Sequence, residues 1–311
     1  AGESGRADGR RIRPPLQGAD LRGPPALPVL RGATGRHRAH LPPGEWLPTL
    51  RTRDLLADGE LHVLGRLAEA SNGTFLARID DPDTGPLAVY KPISGERPLW
   101  DFPDGSLAAR ERAAYLVSEA GGWGVVPRTL LRPGPFGEGM VQEWIGGESA
   151  DTESVVHILR PGSSPAGLIP VLRASDEDGR PALIAHEDGA DVQGLAILDA
   201  VINNTDRKGA HAFRSAGRLY AIDHGVTFHV EPKLRTVLWG WAGDALPDAE
   251  IARLTTLHTL LVGGGEVVDE LHTLITRREY AALVDRIEDL ITLPCFPVPQ
   301  EDWPSIPWPP V

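Results

Sequence analysis

Short apolar runs between turn-forming residues mark the first folded part of the chain as a small antiparallel sheet. The runs predict five strands, at residues 61–67, 74–79, 87–92, 125–131 and 140–145. Between the third and fourth strands, the apolar positions of residues 106–120 change to helical spacing, with Ser106 as the expected N-cap. We therefore expect one sheet with a single helix packed against it.

Longer helical patterns dominate the second half of the chain. A polar connector is predicted at residues 146–168, followed by a hairpin of strands at 169–173 and 181–185. Residues 188–203 are apolar on most sides, which predicts a buried helix, and a short strand after it is expected to end at Asp223. Three further amphipathic segments predict the last helices, at residues 248–262, 265–276 and 278–292.

The two ends of the chain have a different character from the part between them. Residues 1–44 are rich in Arg, Pro and Gly and lack any sustained period, which predicts an unstructured leader. Residues 296–311 contain six prolines and two tryptophans and are expected to form an extended tail along the surface. We therefore expect an α+β protein with an N-lobe at residues 45–145 and a mainly helical C-lobe at residues 146–295.

Composition and charge narrow the class of protein. The 311 residues are 41% hydrophobic and 24% charged, as in ordinary soluble globular proteins. Eight arginines against three acids give residues 1–44 a charge of +5, so the formal total of −12 leaves −17 for the remainder. Such an acidic body argues against nucleic-acid binding and against docking on anionic lipid.

Targeting signals and cysteines point to the cytoplasm. No apolar run reaches the length of a membrane span, and no leader of the signal-peptide type is recognisable. The single cysteine, Cys295, excludes an intramolecular disulfide and a cysteine-cluster metal site. The sequence makes no prediction of the oligomeric state.

Amide and amine side chains are concentrated in one stretch of the chain. Of three asparagines and three lysines, Asn203, Asn204 and Lys208 lie in the loop after the predicted buried helix. A second lysine, Lys91, ends an apolar strand, where a side chain that extends to water is the ordinary interpretation. Glu111 lies on the predicted helix and is expected to pair with a lysine of the adjoining sheet, since no Lys or Arg follows at i+4.

The first turn of the predicted sheet has the chemistry of a phosphate-binding loop. Ser71, Asn72, Gly73 and Thr74 offer hydroxyl groups and free backbone N–H groups to an anion. Most turns of this composition only join two strands. The phosphate-binding interpretation of the turn is supported by the segments that follow it in the chain. These are a strand lysine, a helix glutamate, a loop with Asp206 and a strand ending at Asp223.

This order is that of a two-lobed phosphotransferase. A cation must hold the α- and β-phosphates of the nucleotide, and an acid must hold that cation. Carboxylates must bind the magnesium ion, and another carboxylate must accept or orient the proton of the attacking hydroxyl group. Each part is common by itself, and the ordered set is what predicts the chemistry.

Two segments carry a resemblance to a known family. Asn204-Thr-Asp-Arg-Lys-Gly and Tyr220-Ala-Ile-Asp-His-Gly225 resemble the catalytic and metal-binding loops of the phosphatidylinositol 3- and 4-kinase-like superfamily, and most of all those of type II phosphatidylinositol 4-kinases. The resemblance covers roughly residues 61–225 and includes Ala88-Val-Tyr-Lys-Pro92. The chain is also similar to a group of actinobacterial proteins that carry this domain.

The resemblance implies a bilobal protein-kinase-like fold that binds ATP and Mg²⁺. Lys91 would contact the ATP phosphates and Glu111 would brace it. Asp206 would be the catalytic aspartate, and Lys208 would steady the γ-phosphate unless it is only a solvated loop lysine. Asp223 would be the principal Mg²⁺ ligand. The backbone of four residues would contact adenine: Gln142, Glu143, Trp144 and Ile145.

One position departs from the family pattern. Five residues after the catalytic aspartate, relatives have a metal-binding asparagine, whereas this chain has His211. His211 is either a working ligand, which would favour softer ions such as Mn²⁺, a sign of one-metal chemistry, or a sign of lost catalysis. A transition-metal site with His224 and His229 is a weaker hypothesis, because an alternating strand would point His224 away from Asp223.

The leading hypothesis is an ATP-dependent kinase that acts on a hydroxyl group of a soluble protein or small molecule. An ATP-binding pseudokinase that regulates a partner is one alternative, and His211 favours it. The retention of Lys91, Glu111, Asp206 and Asp223 together argues against it, since a bare scaffold needs none of them. A nucleotidyl transferase is another alternative, since it would use the same residues. A true phosphoinositide kinase is a further alternative. It is disfavoured by the acidic body and by the absence of cysteine between Lys91 and Glu111, where type II lipid kinases have a palmitoylated insert.

Overall fold

The computed structural model describes residues 29–30, 55–67, 72–146, 152–163, 165–175, 179–300 and 303–311, with the backbone alone for the first pair. Apart from that pair, the predicted leader at residues 1–44 lies outside the described residues. Ser71 of the predicted phosphate-binding turn also lies outside them.

A six-stranded sheet forms the N-lobe. Its strands are β1 (Val29–Leu30), β2 (Leu61–Leu67), β3 (Phe75–Ile79), β4 (Leu87–Pro92), β5 (Thr129–Gly134) and β6 (Gly137–Glu143). Their order is β1-β2-β3-β4-β6-β5, with the β1–β2 pair parallel and the other pairs antiparallel. The predicted meander of the first strands is confirmed, and it places Lys91 one residue before the end of β4.

The strand predicted at residues 125–131 begins later than expected, at Thr129. Pro127 has no N–H group to donate to a sheet, so the chain before it is excluded from the ladder. The buried Val125 and Val126 instead direct their N–H groups to the hydroxyl of Ser118, at 3.2 and 3.5 Å. The apolar character of this segment therefore reflects core packing and not strand pairing.

The helix predicted at residues 106–120 is present as α1 (Leu107–Ala120), but its N-cap differs from the prediction. The Ser106 hydroxyl donates to the carbonyl of Pro103 and makes no capping bond to a backbone N–H group of the helix. The carboxylate of Glu96 accepts from the N–H groups of Leu107 and Ala108, at 3.0 and 2.8 Å. An acid from the β4–α1 loop thus satisfies the first amides of the helix, where the positive end of the helix dipole favours it.

The C-lobe contains more strands than the sequence predicts. β7 (Thr152–Ser154) and β8 (Val156–Leu159) lie inside the segment predicted as a connector. The expected hairpin is present as β9 (Leu168–Ser175) and β10 (Pro181–Glu187), and it joins β8 in a sheet of order β8-β10-β9. β11 (Ala212–Ser215), β12 (Arg218–Ala221) and β7 form another small sheet, so β12 ends two residues before Asp223.

The predicted helices of the C-lobe are confirmed within two residues. They are α2 (Ala190–Val201), α3 (Asp248–Gly263), α4 (Glu266–Leu274) and α5 (Arg277–Thr292). α2 is buried along most of its length and packs in one apolar core with the inner face of α1 and with the three last helices. This core fixes α1, a helix of the N-lobe, against the C-lobe.

The described part of the tail, residues 303–311, has no regular secondary structure. The indole N–H of Trp303 donates to the carbonyl of Lys233, and the carbonyl of Pro310 accepts from the N–H of Gly209 at 2.8 Å. The tail therefore packs on the loop that follows Asp206. The described residues have the α+β, two-lobed architecture expected of the protein-kinase-like fold.

Candidate functional site

Lys91 lies between two carboxylates that come from different parts of the fold. Its Nζ is 2.6 Å from Oε1 of Glu111, in α1, and 2.9 Å from Oδ1 of Asp223, after β12. The side chain of Glu111 is 2% exposed, whereas that of Asp223 is 46% exposed. The buried acid therefore holds the lysine, and the more exposed acid faces the space beside it.

The charges of this group stabilise one another. Burial lowers the pKa of Lys91, but the carboxylates of Asp223 and Glu111 more than offset it, and the pKa lies above its ordinary value. The ammonium of Lys91 lowers the pKa of Asp223, against the opposing effect of burial. Both groups are consequently charged at neutral pH.

Glu111 also ties Lys91 to the segment that carries Asp223. Its second carboxylate oxygen, Oε2, accepts from the N–H of His224 at 2.9 Å. Asp223 itself has a φ of 61°, a left-handed conformation that a non-glycine residue adopts only when its surroundings enforce it. The glutamate thus sets both the position of Lys91 and the turn that presents Asp223.

Asp206 lies in the loop between α2 and β11. Its N–H donates to Oδ1 of Asn204 at 3.0 Å, and its Oδ2 is 2.9 Å from Nζ of Lys208. Lys208 therefore engages one carboxylate oxygen and leaves Oδ1 available to a hydroxyl group. The other loop asparagine, Asn203, is used in folding, because its side-chain amide donates to the carbonyls of His229 and Glu231.

His211 lies between Asp206 and Asp223. Its Nδ1 is 3.2 Å from the carbonyl oxygen of Asp206, and its Nε2 is 3.2 Å from Oδ2 of Asp223. Burial lowers the pKa of His211, although the Asp223 carboxylate opposes the shift, so the ring is neutral at neutral pH. A neutral imidazole carries a proton on only one ring nitrogen, so the other nitrogen directs its lone pair at the lone pairs of the oxygen atom that it faces. A cation bound between that nitrogen and that oxygen would relieve the repulsion.

The donors at this position suit a divalent cation held jointly with phosphate. Within the described residues, no group of three or more His, Cys, Asp or Glu side chains is arranged to hold a metal ion. Mg²⁺ is commonly bound by one or two carboxylates together with substrate phosphates and water. Asp223, with His211 beside it, therefore fits an ion that arrives with a nucleotide better than a permanent protein-bound metal.

A cavity of about 330 Å³ brings together six of the fourteen predicted site residues. Its lining includes Asn72, Gly73, Lys91, Glu111, Asp206 and Asp223. Thr74 is buried behind it, and its N–H donates to the carbonyl of Asn72. Residues more than 100 positions apart in the sequence thus share one cavity, as the order of motifs predicts.

The four residues predicted to contact adenine lie at the end of β6 and outside the lining of this cavity. Two of their backbone N–H groups are already engaged, that of Glu143 with the carbonyl of Arg128 and that of Trp144 with the carbonyl of Leu87. The side chain of Gln142 is buried and donates to Thr129. Adenine recognition there stays a prediction, and it would use groups other than these N–H donors.

Arg207, next to Asp206, is a positioning residue that sequence reasoning did not single out. Its guanidinium is fully buried and forms an ion pair with the equally buried Asp199 of α2 at 2.9 Å. It also donates to the carbonyls of His211 and Ile222, at 3.0 and 2.9 Å, and contacts Nε2 of His224 at 2.7 Å. One arginine therefore links the loop of Asp206 to the segment of Asp223.

Burial and the Arg207 guanidinium lower the pKa of His224 well below its ordinary value, so its ring is neutral and can accept from Arg207. His224 is fully buried and its ring makes no contact with Asp223 among the described interactions. The structure thus favours the interpretation in which His224 serves the fold, as strand alternation suggested, over a histidine-rich metal site.

Three solved structures resemble this chain in fold. The Golgi casein kinase is 14% identical, with a TM-score of 0.43, over 78% of this chain and 74% of that chain. The proinflammatory kinase CtkA of Helicobacter pylori is 10% identical, with a TM-score of 0.37, over 76% and 97%. The Rio2 kinase of Chaetomium thermophilum, in a complex with ADP/Mg²⁺ and phosphoaspartate, is 12% identical, with a TM-score of 0.27, over 78% and 73%.

The sequence relationship is closer than the structural ones. No family model matches the chain. A protein of Mycobacterium tuberculosis, Protein Rv2133c, is 45% identical over 263 residues, which cover 82% of this chain and 94% of that protein. Identity at this level over nearly the full length of the relative shows common descent, and the chain belongs to the same family as Protein Rv2133c.

Proposed function

We propose that the protein is an ATP-dependent kinase that transfers the γ-phosphate to a hydroxyl group of an acceptor. The observation that supports this most directly is the arrangement of Lys91, Glu111 and Asp223, with Asp206 in the same cavity. The Asp223 carboxylate is 46% exposed and lines the cavity, so a ligand can reach it. Perturbed, paired charges in a cavity are typical of functional sites.

Each of these residues has a separate role in phosphoryl transfer. Lys91 holds the phosphates in place, and the buried Glu111 keeps its ammonium in position. A divalent ion on Asp223 and His211 supplies positive charge to the phosphates when it is bound. At this turn the N–H groups of Gly73 and Thr74 donate to the carbonyls of Gly95 and Asn72, which leaves the side-chain amide of Asn72 to donate to the same phosphates.

Asp206 acts on the acceptor. Its Oδ1 accepts the proton of the acceptor hydroxyl while Lys208 keeps Oδ2 engaged. The acceptor oxygen forms a bond with the γ-phosphorus, and the bond from that phosphorus to the β–γ bridging oxygen breaks. The electron pair leaves with ADP, and the proton is retained by Asp206 until solvent removes it.

Labelled ATP and one variant test this proposal. The wild-type protein is incubated in a cell extract with γ-labelled or α-labelled ATP, with Mg²⁺ and with Mn²⁺ in turn. We expect label to reach an acceptor from the γ position only. Asp206→Ala should abolish transfer while nucleotide binding persists, because Lys91 and Asp223 remain.

The same experiment separates the alternatives. Label from the α position would establish nucleotidyl transfer. ATP binding without turnover in either metal would establish a pseudokinase, and a labelled lipid fraction would establish a phosphoinositide kinase. Transfer that survives in Asp206→Ala at the wild-type rate would contradict the role given to Asp206.

A further inference from the structure

We propose that the β4–α1 loop, residues 93–106, forms the acceptor site, and that the acceptor is a small alcohol with an apolar body and an anionic group. The inference rests on the kinase function proposed above and names the substrate class of that site. It is carried by a second cavity in the loop and by an arginine that lines both cavities.

The second cavity is next to the first. It also measures about 330 Å³, and four residues line both cavities: Glu96, Arg97, Leu99 and Leu107. Its other walls are mainly apolar, and they include Ile93, Phe102 and Pro103. A volume of this size, with apolar walls and a few polar groups, is typical of a small-ligand site.

Arg97 is the residue that gives this site a charge preference. Lys91 and Arg97 are the two cationic residues that line the first cavity. Lys91 is engaged by two carboxylates, whereas the Arg97 guanidinium makes no hydrogen bond or ion pair in the described part of the chain. Guanidinium groups bind carboxylates and phosphates through paired hydrogen bonds, so Arg97 is placed to receive an anion.

The loop is held in place without any ligand. The N–H of Arg97 donates to Oδ1 of Asn72, and the N–H of Gly73 donates to the carbonyl of Gly95, at 3.0 and 2.9 Å. On its other side, Asp101 pairs with the buried Lys233 at 3.1 Å. A site with such supports needs little ordering when a ligand binds, which favours affinity.

The proposed acceptor site lies next to the residue that would receive the acceptor's proton. Asp206 and Arg97 line the same cavity, so a molecule that extends from one to the other places its hydroxyl group at the carboxylate and its anion at the guanidinium. Leu99 and Phe102 would contact the part between or beside these groups. The transfer is the one written above, from the γ-phosphorus to the hydroxyl oxygen, with the proton taken by Asp206.

A small molecule fits this geometry better than a protein acceptor. The second cavity is lined by residues of one loop and the start of α1, and its volume of about 330 Å³ suits a compact group. The residues beyond position 44 carry a charge of −17, and four acids line the first cavity. Because Arg97 pairs with none of these acids, its guanidinium is available to an anionic ligand. The exposed Trp100, 84% accessible, is the feature that a protein acceptor would use.

The test compares Arg97→Gln and Leu99→Asp with a matched control, Arg160→Gln, on the turn after β8. Leu99→Asp keeps Arg97 and adds a negative charge between the two cavities. Each protein is incubated with γ-labelled ATP and either the small-molecule or the protein fraction of a cell extract. Initial rates of acceptor labelling and the KM for ATP are measured together.

We expect wild type and Arg160→Gln to label a small product that anion-exchange resin retains. Loss of one charge-assisted hydrogen-bond pair should lower that labelling roughly ten- to a hundredfold in Arg97→Gln, well beyond any change in the KM for ATP. Label found in protein and insensitive to both substitutions would overturn the proposal. So would an equal loss in labelling and in ATP affinity, which would assign Arg97 to the nucleotide.

A binding measurement keeps this inference separate from the kinase proposal. Each protein is saturated with Mg²⁺ and β,γ-imido-ATP, and ligand-observed NMR then measures binding of phenyl phosphate, with benzyl alcohol as the neutral comparison. Arg97-dependent binding of phenyl phosphate by a wild type that never turns over ATP would support the anion site and defeat the kinase function. Equal binding to wild type and Arg97→Gln would overturn the site itself.

Discussion

The two sides of the cavity are each held by ion pairs between arginines and carboxylates, but the pairs are built differently. On the C-lobe side, Arg207 and Asp199 are both fully buried and lie eight residues apart in the sequence. On the N-lobe side, Arg110 and Arg112 of α1 reach Glu279 and Glu270, at 2.5 and 2.8 Å, across more than 150 residues.

Arg207 positions the site through a local network of contacts, whereas Arg110 and Arg112 position α1 through contacts with helices that are distant in the sequence. Arg207 contacts both the loop of Asp206 and the turn of Asp223, and its loss would leave the carboxylate of Asp199 buried without a cation. The arginines of α1 flank Glu111 and fix the orientation of a helix that already packs through apolar side chains. We therefore expect loss of the first network to reduce stability most, and loss of contacts of α1 to act more on activity.

Arg207→Ala should have the largest effect on stability. The substitution leaves Asp199 buried without a cation, which is expected to lower the free energy of unfolding by about 3–5 kcal/mol. Urea denaturation measures the loss. Arg214→Ala is the matched control, because Arg214 pairs with the partly exposed Glu187 and Asp191 and its removal leaves neither carboxylate fully buried. A smaller loss is therefore expected. Equal losses in the two variants would show that the buried pair stabilises the fold no more than the pairs of Arg214 do.

Glu111→Gln should act mainly on catalysis. Lys91 keeps its contact with Asp223, and the glutamine oxygen can still accept from the N–H of His224, so the fold is expected to tolerate the change. The ammonium loses its fixed acid, and ATP turnover should fall roughly a hundredfold, as when one preorganised electrostatic group is removed from an active site. Turnover assays with a parallel urea titration measure both effects. A loss of stability as large as that of Arg207→Ala would make Glu111 a structural residue.

The sequence singled out residues that the structure brings into one cavity, because each is marked by its residue type. Lys91 is one of three lysines, and Asp206 and Asp223 lie in recognisable loops. The last three helices were also predicted within two residues, since their apolar periods are local. These features depend on short stretches of chain.

Features that depend on distant partners were missed. Arg207 looks like any loop arginine until α2 brings Asp199 to it, and β8 becomes a strand only by pairing with β10. The Glu96 carboxylate that caps α1 lies eleven residues before the first amide that it binds. The presence of an arginine directly after Asp206 was a visible signal for the first of these, but nothing in the sequence indicated that it is buried.

The anchor of α1 on α5 should make stability depend on pH. Burial raises the pKa of Glu279, but the ion pair with Arg110 more than offsets it, and the folded-state pKa lies below the ordinary 4.5. The contribution of the pair is therefore fully present above pH 4.5 and is lost as pH falls through the lower, folded-state value. Urea denaturation from pH 7 to pH 3 should show wild type and Glu279→Gln converging in stability. Parallel curves would show that Glu279 does not titrate in this range.

The smallest expected effect concerns His211, which lies between Asp206 and Asp223. Asparagine offers an oxygen in place of the ring nitrogen that faces Asp223, and oxygen donors favour Mg²⁺ over softer ions. His211→Asn should therefore shift the ratio of Mg²⁺- to Mn²⁺-supported turnover toward Mg²⁺ by about tenfold, as is typical when a metal ligand or its support is changed. His157→Asn, at an exposed histidine of β8, controls for general effects of the substitution. An unchanged ratio would mean that His211 only supports the carbonyl of Asp206, which its Nδ1 contacts at 3.2 Å, and that Asp223 binds the ion without it.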